Sequence, residues 1–170
     1  MRIKSLTTLV AALFLATACA ETMQDGGSGK GSGGNQQAKP SAVASIKAGS
    51  GRDFVVNVGD RVFFGYDKSN LSPDARSQLE KQAAWLKKFG SVSLTLEGHA
   101  DERGTREYNL ALGERRANSA KDFLVALGIA PNRIKVISYG KERPAALGQN
   151  EAAWRQNRRA VTIVAGGSGS

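Results

Sequence analysis

The segment Val92–Leu127, VSLTLEGHADERGTREYNLALGERRANSAKDFLVAL, carries two apolar periods in succession. Apolar and polar residues alternate from Val92 to Glu97, which predicts a strand with one buried face. A polar loop that contains glycine follows, from His99 to Thr105. From about Arg106 to Leu127 the apolar residues recur at helical spacing. The predicted buried stripe of this helix consists of Leu110, Ala117, Ala120, Leu124 and Leu127.

The sequence on both sides of this segment continues the alternation of strands and helices. Ser72-Pro73-Asp74 has the residues of a helix start, and Gly90 ends that helix. The other predicted elements are strands at 54–56, 62–64, 134–138 and 159–164, with a short helical turn near 151–156. The order β-α-β-α-β-(α)-β, with strands that have one polar face, predicts an α/β fold. We expect a two-layer sandwich with the helices on one face of a mixed sheet.

The first residues are typical of a targeting signal. Arg2 and Lys4 give a positive start, and Leu6–Ala18 is apolar but too short to span a bilayer as a mature helix. Small residues then lead to Cys19, which predicts a lipoprotein signal peptide over residues 1–18 and acylation of Cys19. The alternative is an ordinary secretory signal whose cleavage leaves a free thiol. Because Cys19 is the only cysteine, neither a disulfide nor a cysteine-based metal site can form.

A Gly- and Ser-rich tether is predicted from the acylated Cys19 to residue 51. Its GGSGKGSGGNQQAKPS stretch lacks aromatic residues and hydrophobic periodicity, so it cannot bury enough apolar surface to order itself. About thirty such residues reach roughly 30 Å on average and about 100 Å when extended. The folded domain is predicted at 52–165, and the last five residues, 166–170, are predicted to form a disordered tail.

The basic charge of the chain does not indicate a nucleic-acid partner. Two of the 24 basic residues are Arg2 and Lys4, so removal of the signal leaves 22 basic against 15 acidic residues. The basic residues are spread along the chain with acids between them, and the predicted signal directs export. A polyanionic wall or lipid surface matches this surplus better than a nucleic acid does.

Asp101 and Arg116 are the leading candidates for a binding site. An acid and a base that face one pocket suit a zwitterion, because the guanidinium grips a carboxylate with two hydrogen bonds while the acid accepts from an ammonium. Leu112 lies one helical turn before Arg116, so both face the same way. The alternative is a structural salt bridge between Asp101 and Arg116 that ties the strand to the helix.

Several motifs together resemble those of a known family. Beside GHADERGT and GERRA in the central segment, they are FFGYDKSNL at Phe63–Leu71, ISYGKERP at Ile137–Pro144 and NRRAV at Asn157–Val161. The run from about Val55 to Val164 is similar to the peptidoglycan-binding OmpA-like domains, and most similar to those of the peptidoglycan-associated lipoproteins of Gram-negative bacteria.

The resemblance implies a ligand and a site. The ligand is the meso-diaminopimelate of the peptidoglycan stem peptide, with its ammonium on Asp101 and its carboxylate on Arg116. The further pocket residues that it implies are Tyr66, Asp67, Ala100, Arg103, Thr105, Asn109 and Leu112. Each has a structural alternative, such as a turn cap for Asp67, an ion pair for Arg103, local hydrogen bonds for Asn109 and core packing for Leu112.

The resemblance also implies a cellular setting. The lipid anchor would hold the chain on the periplasmic face of the outer membrane, since position 20 is Ala rather than the Asp that commonly retains lipoproteins in the inner membrane. The partners would be the Tol proteins, especially TolB, in envelope integrity and cell division. We expect no enzyme, no cofactor and no metal site.

Two other functions stay open at this point. The chain could be another OmpA-like lipoprotein that anchors the wall outside the Tol system. It could also be a periplasmic enzyme that acts on cell-wall peptides through His99, Asp101 and Glu102. The sequence has no nucleophile at a recognisable spacing, and we expect the lone His99 to order the backbone of its loop. Arg115, Arg158 and Arg159 are expected to form surface or fold-supporting ion pairs, with Glu97 and Glu114 as possible partners.

Overall fold

Four strands form one mixed sheet in the computed structural model, which describes residues 46–165. The strands are β1 (Arg61–Phe63), β2 (Ser93–His99), β3 (Ile134–Gly140) and β4 (Arg159–Ala165). Their order in the sheet is β1-β4-β2-β3, with β2 and β3 parallel and β4 antiparallel to both of its neighbours. The predicted signal peptide, Cys19, the tether up to residue 45 and the tail lie outside the described residues.

Side-chain caps set the starts of the four helices. These are α1 (Gly51–Asn57), α2 (Pro73–Lys88), α3 (Arg106–Ala126) and α4 (Glu151–Asn157), and a 3₁₀ turn at Pro131–Arg133 precedes β3. The hydroxyl of Ser72 accepts from the backbone N–H of Ala75 at 3.1 Å, and Thr105 caps α3 in the same way. Each cap satisfies one of the N–H groups that a helix start leaves unpaired. No helix within residues 46–165 is long and apolar enough to cross a membrane.

The core lies between the sheet and the two long helices, α2 and α3. One buried hydrophobic cluster contains Leu94 and Leu96 of β2, Leu79 and Leu86 of α2, and Leu124 of α3. The residues that alternate with them in β2 are half-buried or exposed, so the strand has the one buried face that was predicted. The predicted α/β fold, with a four-stranded mixed sheet and helices, is confirmed.

The strand predicted at 54–56 is wrong, since these residues belong to α1. Ser50 caps this helix, and only Phe54 is buried, whereas Val55 and Val56 are 49% and 60% exposed. The ring of Phe54 packs edge-on against Trp85 at 5.0 Å between centroids. Three consecutive apolar residues are too few to distinguish a strand from a helix by periodicity, and tertiary contact decided the outcome.

The first half of α3 lies unusually close to the sheet. A methyl group built on Gly98 of β2 would lie 1.8 Å from the carbonyl oxygen of Gly113 in α3. One built on Gly113 would lie 2.4 Å from the hydroxyl oxygen of Ser138 in β3. Only glycines allow this approach. It brings the start of α3 directly against the loop that leaves β2.

The buried face of α3 differs from the predicted apolar stripe. Ala117, Ala120 and Leu124 are buried as expected, but Leu110 and Leu127 are only half-buried. The first half of the helix buries a more polar set, which consists of Asn109, Leu112, Gly113 and Arg116. Because a buried polar side chain needs hydrogen-bond partners, this half of α3 marks the candidate site.

Candidate functional site

A pocket of about 200 Å³ opens between the loop after β1, the loop after β2 and the first half of α3. Nine residues line it: Tyr66, Asp67, Asp101, Arg103, Gly104, Tyr108, Asn109, Leu112 and Arg116. Seven of them are among the nine residues singled out from the sequence. The other two, Ala100 and Thr105, do not line the pocket. Ala100 is buried and lines a separate cleft, and Thr105 caps α3.

Arg116 forms the floor of the pocket and is completely buried. Its guanidinium donates to the backbone carbonyls of Lys68 at 2.9 Å, His99 at 2.8 Å and Gly65 at 3.1 Å. A guanidinium has five N–H groups, so these bonds leave one on each terminal nitrogen. Burial lowers the pKa of Arg116 to about 10, and the negative charge of Asp101 offsets part of this shift.

Within residues 46–165, Arg116 forms no ion pair with a carboxylate. The alternative of a structural salt bridge between Asp101 and Arg116 therefore does not describe this structure, because Asp101 pairs with Arg103 and Arg158. A buried cation whose partners are neutral carbonyls is costly. It favours an anion that can reach the remaining N–H groups.

Asp101 is buried beside the same pocket and stays ionised. Its carboxylate accepts from the Arg103 guanidinium at 2.6 and 3.1 Å, from the Arg103 backbone N–H at 3.2 Å and from Arg158 at 3.3 Å. Burial alone would raise the pKa of Asp101, but the hydrogen bonds from these two arginines outweigh it and hold the pKa below its ordinary value.

Arg103 spans the pocket rim between two aromatic rings. Its guanidinium carbon lies 4.1 Å from the ring centroid of Tyr66 and 4.0 Å from that of Trp154. Trp154 lies in α4 and donates its indole N–H to Glu102 at 3.1 Å. The ion pair that was the structural alternative for Arg103 therefore exists, and its partner is Asp101.

The loop residues on the opposite rim are held by α3. Asp67 adopts a left-handed backbone with φ +53°, which is uncommon for a residue other than glycine. Its carboxylate accepts a short hydrogen bond from the hydroxyl of Tyr108. Asn109, also buried, donates to the carbonyl of Arg103 at 2.8 Å and so holds the loop after β2, as its structural alternative proposed. These contacts fix both rims relative to Arg116.

His99 does not reach the pocket, and its expected role in a loop is wrong. It is the last residue of β2, its ring is 2% exposed, and neither ring nitrogen has a hydrogen-bond partner in the described part of the chain. Glu97 lies 3.8 Å from Nε2, which is too far for a hydrogen bond. Burial, with added repulsion from Arg159 and Arg143, lowers the pKa of His99 to about 4. The histidine that an enzymatic mechanism would need is thus buried and does not line the pocket that Asp101 lines.

Of the three arginines that were expected to form ion pairs, Arg158 does so, whereas Arg115 and Arg159 form none within residues 46–165. Arg158 is buried and links Asp101 to Glu151, while Arg159 donates to the carbonyls of Asn157 and Arg143 rather than to an acid. The sequence reasoning missed Gly104, Tyr108 and the Trp154 stack. The Tyr108-Asn109 pair in the motif was a signal for Tyr108, but no pattern placed Trp154 beside Arg103. In the described part of the chain, no cluster of His, Cys, Asp and Glu side chains could hold a metal ion.

Taken together, the pocket is about the size of one amino acid and carries groups of opposite charge. The floor carries a guanidinium with free N–H groups, and one wall carries an ionised carboxylate. Leu112 adds an apolar surface beside Arg116. Such a site can bind a group that has both an ammonium and a carboxylate.

Comparisons with known proteins agree with the fold and the motifs. The model of the OmpA family matches residues 63–158. The chain is 57% identical over 118 residues to a peptidoglycan-associated lipoprotein of Brucella melitensis, which covers 69% of this chain and 70% of that protein. It is 40% identical over 156 residues to a peptidoglycan-associated lipoprotein of Pseudomonas aeruginosa, with 89% and 90% covered.

Solved structures show the same fold. The peptidoglycan-associated lipoprotein of Burkholderia pseudomallei is 39% identical and superposes with a TM-score of 0.60, over 62% of this chain and 89% of that chain. The C-terminal domain of Helicobacter pylori MotB, 21% identical, superposes with a TM-score of 0.58 over 62% of this chain and 83% of that domain, which shows the fold alone. The chain therefore belongs to the OmpA family, together with these peptidoglycan-associated lipoproteins.

Proposed function

We propose that this chain is a non-catalytic anchor that binds peptidoglycan through the meso-diaminopimelate of the stem peptide. The side-chain end of that residue carries an ammonium and a carboxylate on one carbon. The carboxylate would bind Arg116, and the ammonium would bind Asp101. The names of the related proteins, which describe an association with peptidoglycan, support this ligand class.

The observation that carries the proposal is the buried Arg116, which has no acidic partner among residues 46–165. Its three carbonyl contacts orient the guanidinium but do not neutralise it. A ligand carboxylate would add the missing negative charge and accept from the two remaining N–H groups. Hydrogen bonds to charged groups contribute about 1.5–3 kcal/mol each. Two such contacts would give modest affinity for a single stem peptide.

Many weak contacts can still hold a membrane to a wall. The wall repeats its stem peptide, and a lipid on Cys19 would confine the chain next to it, so that effective concentration raises the overall binding. We therefore extend the proposal to a lipid-anchored location on the periplasmic face of the outer membrane. A role with the Tol proteins, especially TolB, rests on family resemblance alone.

The test is binding of the purified chain from Ala20 to Ser170 to two muropeptides. One carries free meso-diaminopimelate, and in the other the same carboxylate is amidated. We expect binding to the first and a loss of at least about tenfold with the second, because an amide cannot accept the bidentate, charge-assisted contact. Arg116→Lys keeps the charge but loses the fork, and it should weaken binding to the free form to a similar extent.

Arg52→Lys is the matched control, since Arg52 is exposed on α1 and does not line the pocket. It should bind both muropeptides like the wild type. Equal binding of the free and amidated forms by the wild type would contradict the assignment of the carboxylate to Arg116. Absence of binding to either form would contradict the anchor function itself.

A further inference from the structure

The carboxylate of Asp101 is already occupied in this structure. Arg103 supplies three hydrogen bonds, two from its side chain at 2.6 and 3.1 Å and one from its backbone at 3.2 Å. Arg158 supplies a fourth at 3.3 Å. Because a carboxylate has about four acceptor positions, Asp101 has none left for the ammonium of a ligand.

The two arginines differ in how firmly they are held. Arg158 is 5% exposed in its side chain, and it also donates to the carbonyl of Phe64 and to Glu151. The side chain of Arg103 is 30% exposed, and all of its side-chain hydrogen bonds in the structure go to Asp101. Its other contacts are the faces of Tyr66 and Trp154, which permit sliding more readily than a hydrogen-bonded fork does.

We infer that Arg103 is a specificity-determining residue, an internal cation that the ammonium of the ligand must displace from Asp101. The inference rests on the proposed function. When Arg103 leaves, the ammonium of the ligand replaces the positive charge and the side-chain hydrogen bonds that the Asp101 carboxylate loses. A ligand without an ammonium would leave Arg103 on Asp101, because displacing it would leave a buried carboxylate with Arg158 as its remaining ionic partner, which is costly. Arg103 thereby competes only with ligands that carry an ammonium, and it lowers the affinity of the pocket for them.

Removal of the competitor should strengthen binding of the right ligand. In Arg103→Gln, Arg158 still keeps Asp101 ionised, but the ammonium no longer competes with a guanidinium. We expect this variant to bind the meso-diaminopimelate muropeptide about 5- to 30-fold more tightly than the wild type. It should not gain affinity for a stem peptide with 2-aminopimelate, whose side chain ends in a carboxylate without the amine. The loss of this competition would appear as a rise in the ratio of the affinity for meso-diaminopimelate to the affinity for 2-aminopimelate.

The experiment measures the affinities of the Ala20–Ser170 chain for both ligands by titration calorimetry, in the wild type and in Arg103→Gln. Arg106→Gln is the matched control, because it also removes one positive charge nearby while Arg106 pairs with Glu142 outside the pocket. It should leave the ratio unchanged. Weaker binding of both ligands by Arg103→Gln would overturn the inference, since Arg103 would then be a direct ligand contact.

A second readout uses the wild type and does not depend on a variant that folds. The chain has two tryptophans, and the indole N–H groups of Trp154 and Trp85 give separate NMR signals. Displacement of Arg103 should shift the Trp154 signal, whereas Trp85, which donates to Asp53, is the internal control. Binding without a Trp154 shift would overturn the inference but leave the proposed function intact. If the wild type binds neither ligand, the proposed function fails, and the inference fails with it.

Discussion

Low pH should destabilise the folded state through one side chain, His99. It is the only histidine of the chain, and its ring is buried with both nitrogens unpartnered. The charged groups that face it are Glu97 on its own strand, Arg159 on β4 and Arg143 on the loop after β3. Burial and the repulsion from the two arginines outweigh the attraction of Glu97, so the folded protein disfavours the imidazolium.

The magnitude follows from the pKa. The folded protein lowers the pKa of His99 from 6.5 to about 4, which corresponds to about 3 kcal/mol. Above pH 6.5 His99 is neutral in both states, and this stability is fully present. Between pH 6.5 and about 4 the unfolded chain takes up a proton that the folded protein does not, so the stability is lost as the pH falls. The pKa values of Asp101 and Glu151 lie below their ordinary values of 3.8 and 4.5, so these carboxylates act at lower pH.

Urea unfolding at pH 7.5, 6.0 and 4.8 measures this loss, with His99→Phe as the matched variant. Phe keeps a ring that can stack on Tyr139, whose centroid lies 5.7 Å away, but it does not titrate. We expect the wild type to lose about 2 kcal/mol between pH 7.5 and 4.8, and His99→Phe to lose much less. At pH 7.5 the variant should be at least as stable as the wild type, because two unpaired buried atoms are removed. An equal loss in both proteins would refute the reasoning.

Four further predictions concern the site, the packing and the anchor. Asp101→Asn should reduce co-sedimentation with peptidoglycan by about tenfold or more, since the amide no longer attracts an ammonium. The far-UV circular dichroism should stay native, and unchanged sedimentation would contradict the assignment of Asp101 to the site. Arg116→Ala should lower the free energy of unfolding by about 3 kcal/mol or more in urea titrations, because three hydrogen bonds to backbone carbonyls are lost. Gly98→Ala should abolish or severely weaken folding, since its methyl group would overlap the carbonyl of Gly113, and a soluble, stable variant would disprove the close packing. Cys19→Ser should release the protein from the outer-membrane fraction, and firm retention there would contradict lipidation.

The expected loss of stability makes Arg116→Ala a poor test of ligand binding. From sequence alone, Asp101→Ala and Arg116→Ala appear as equivalent binding variants that leave the fold intact. The structure separates them, because Arg116 also ties the loop at residues 65–68 to the end of β2. Arg116→Lys is therefore the better functional test, since the charge remains while the bidentate geometry is lost.

Local patterns predicted most of the architecture. The alternation from Val92 to Glu97 and the cap at Ser72 correspond to β2 and α2, because periodicity and capping act within a few residues. They failed at 54–56, where three apolar residues fit either period. They also misjudged the buried face in the first half of α3, because a stripe of apolar residues cannot show that Asn109 and Arg116 are buried.

The sequence by itself determined which chemistry is present: an acid and a guanidinium fifteen positions apart, within motifs typical of the OmpA family. Only the tertiary structure decided how these groups are used. Arg116 contacts three carbonyls from two separate segments, and Asp101 is held by Arg103 and by the distant Arg158. The physical reason is the distance along the chain over which each interaction acts. Helix and strand preferences are local, whereas the partners of a buried charge come from segments that meet only when the chain folds.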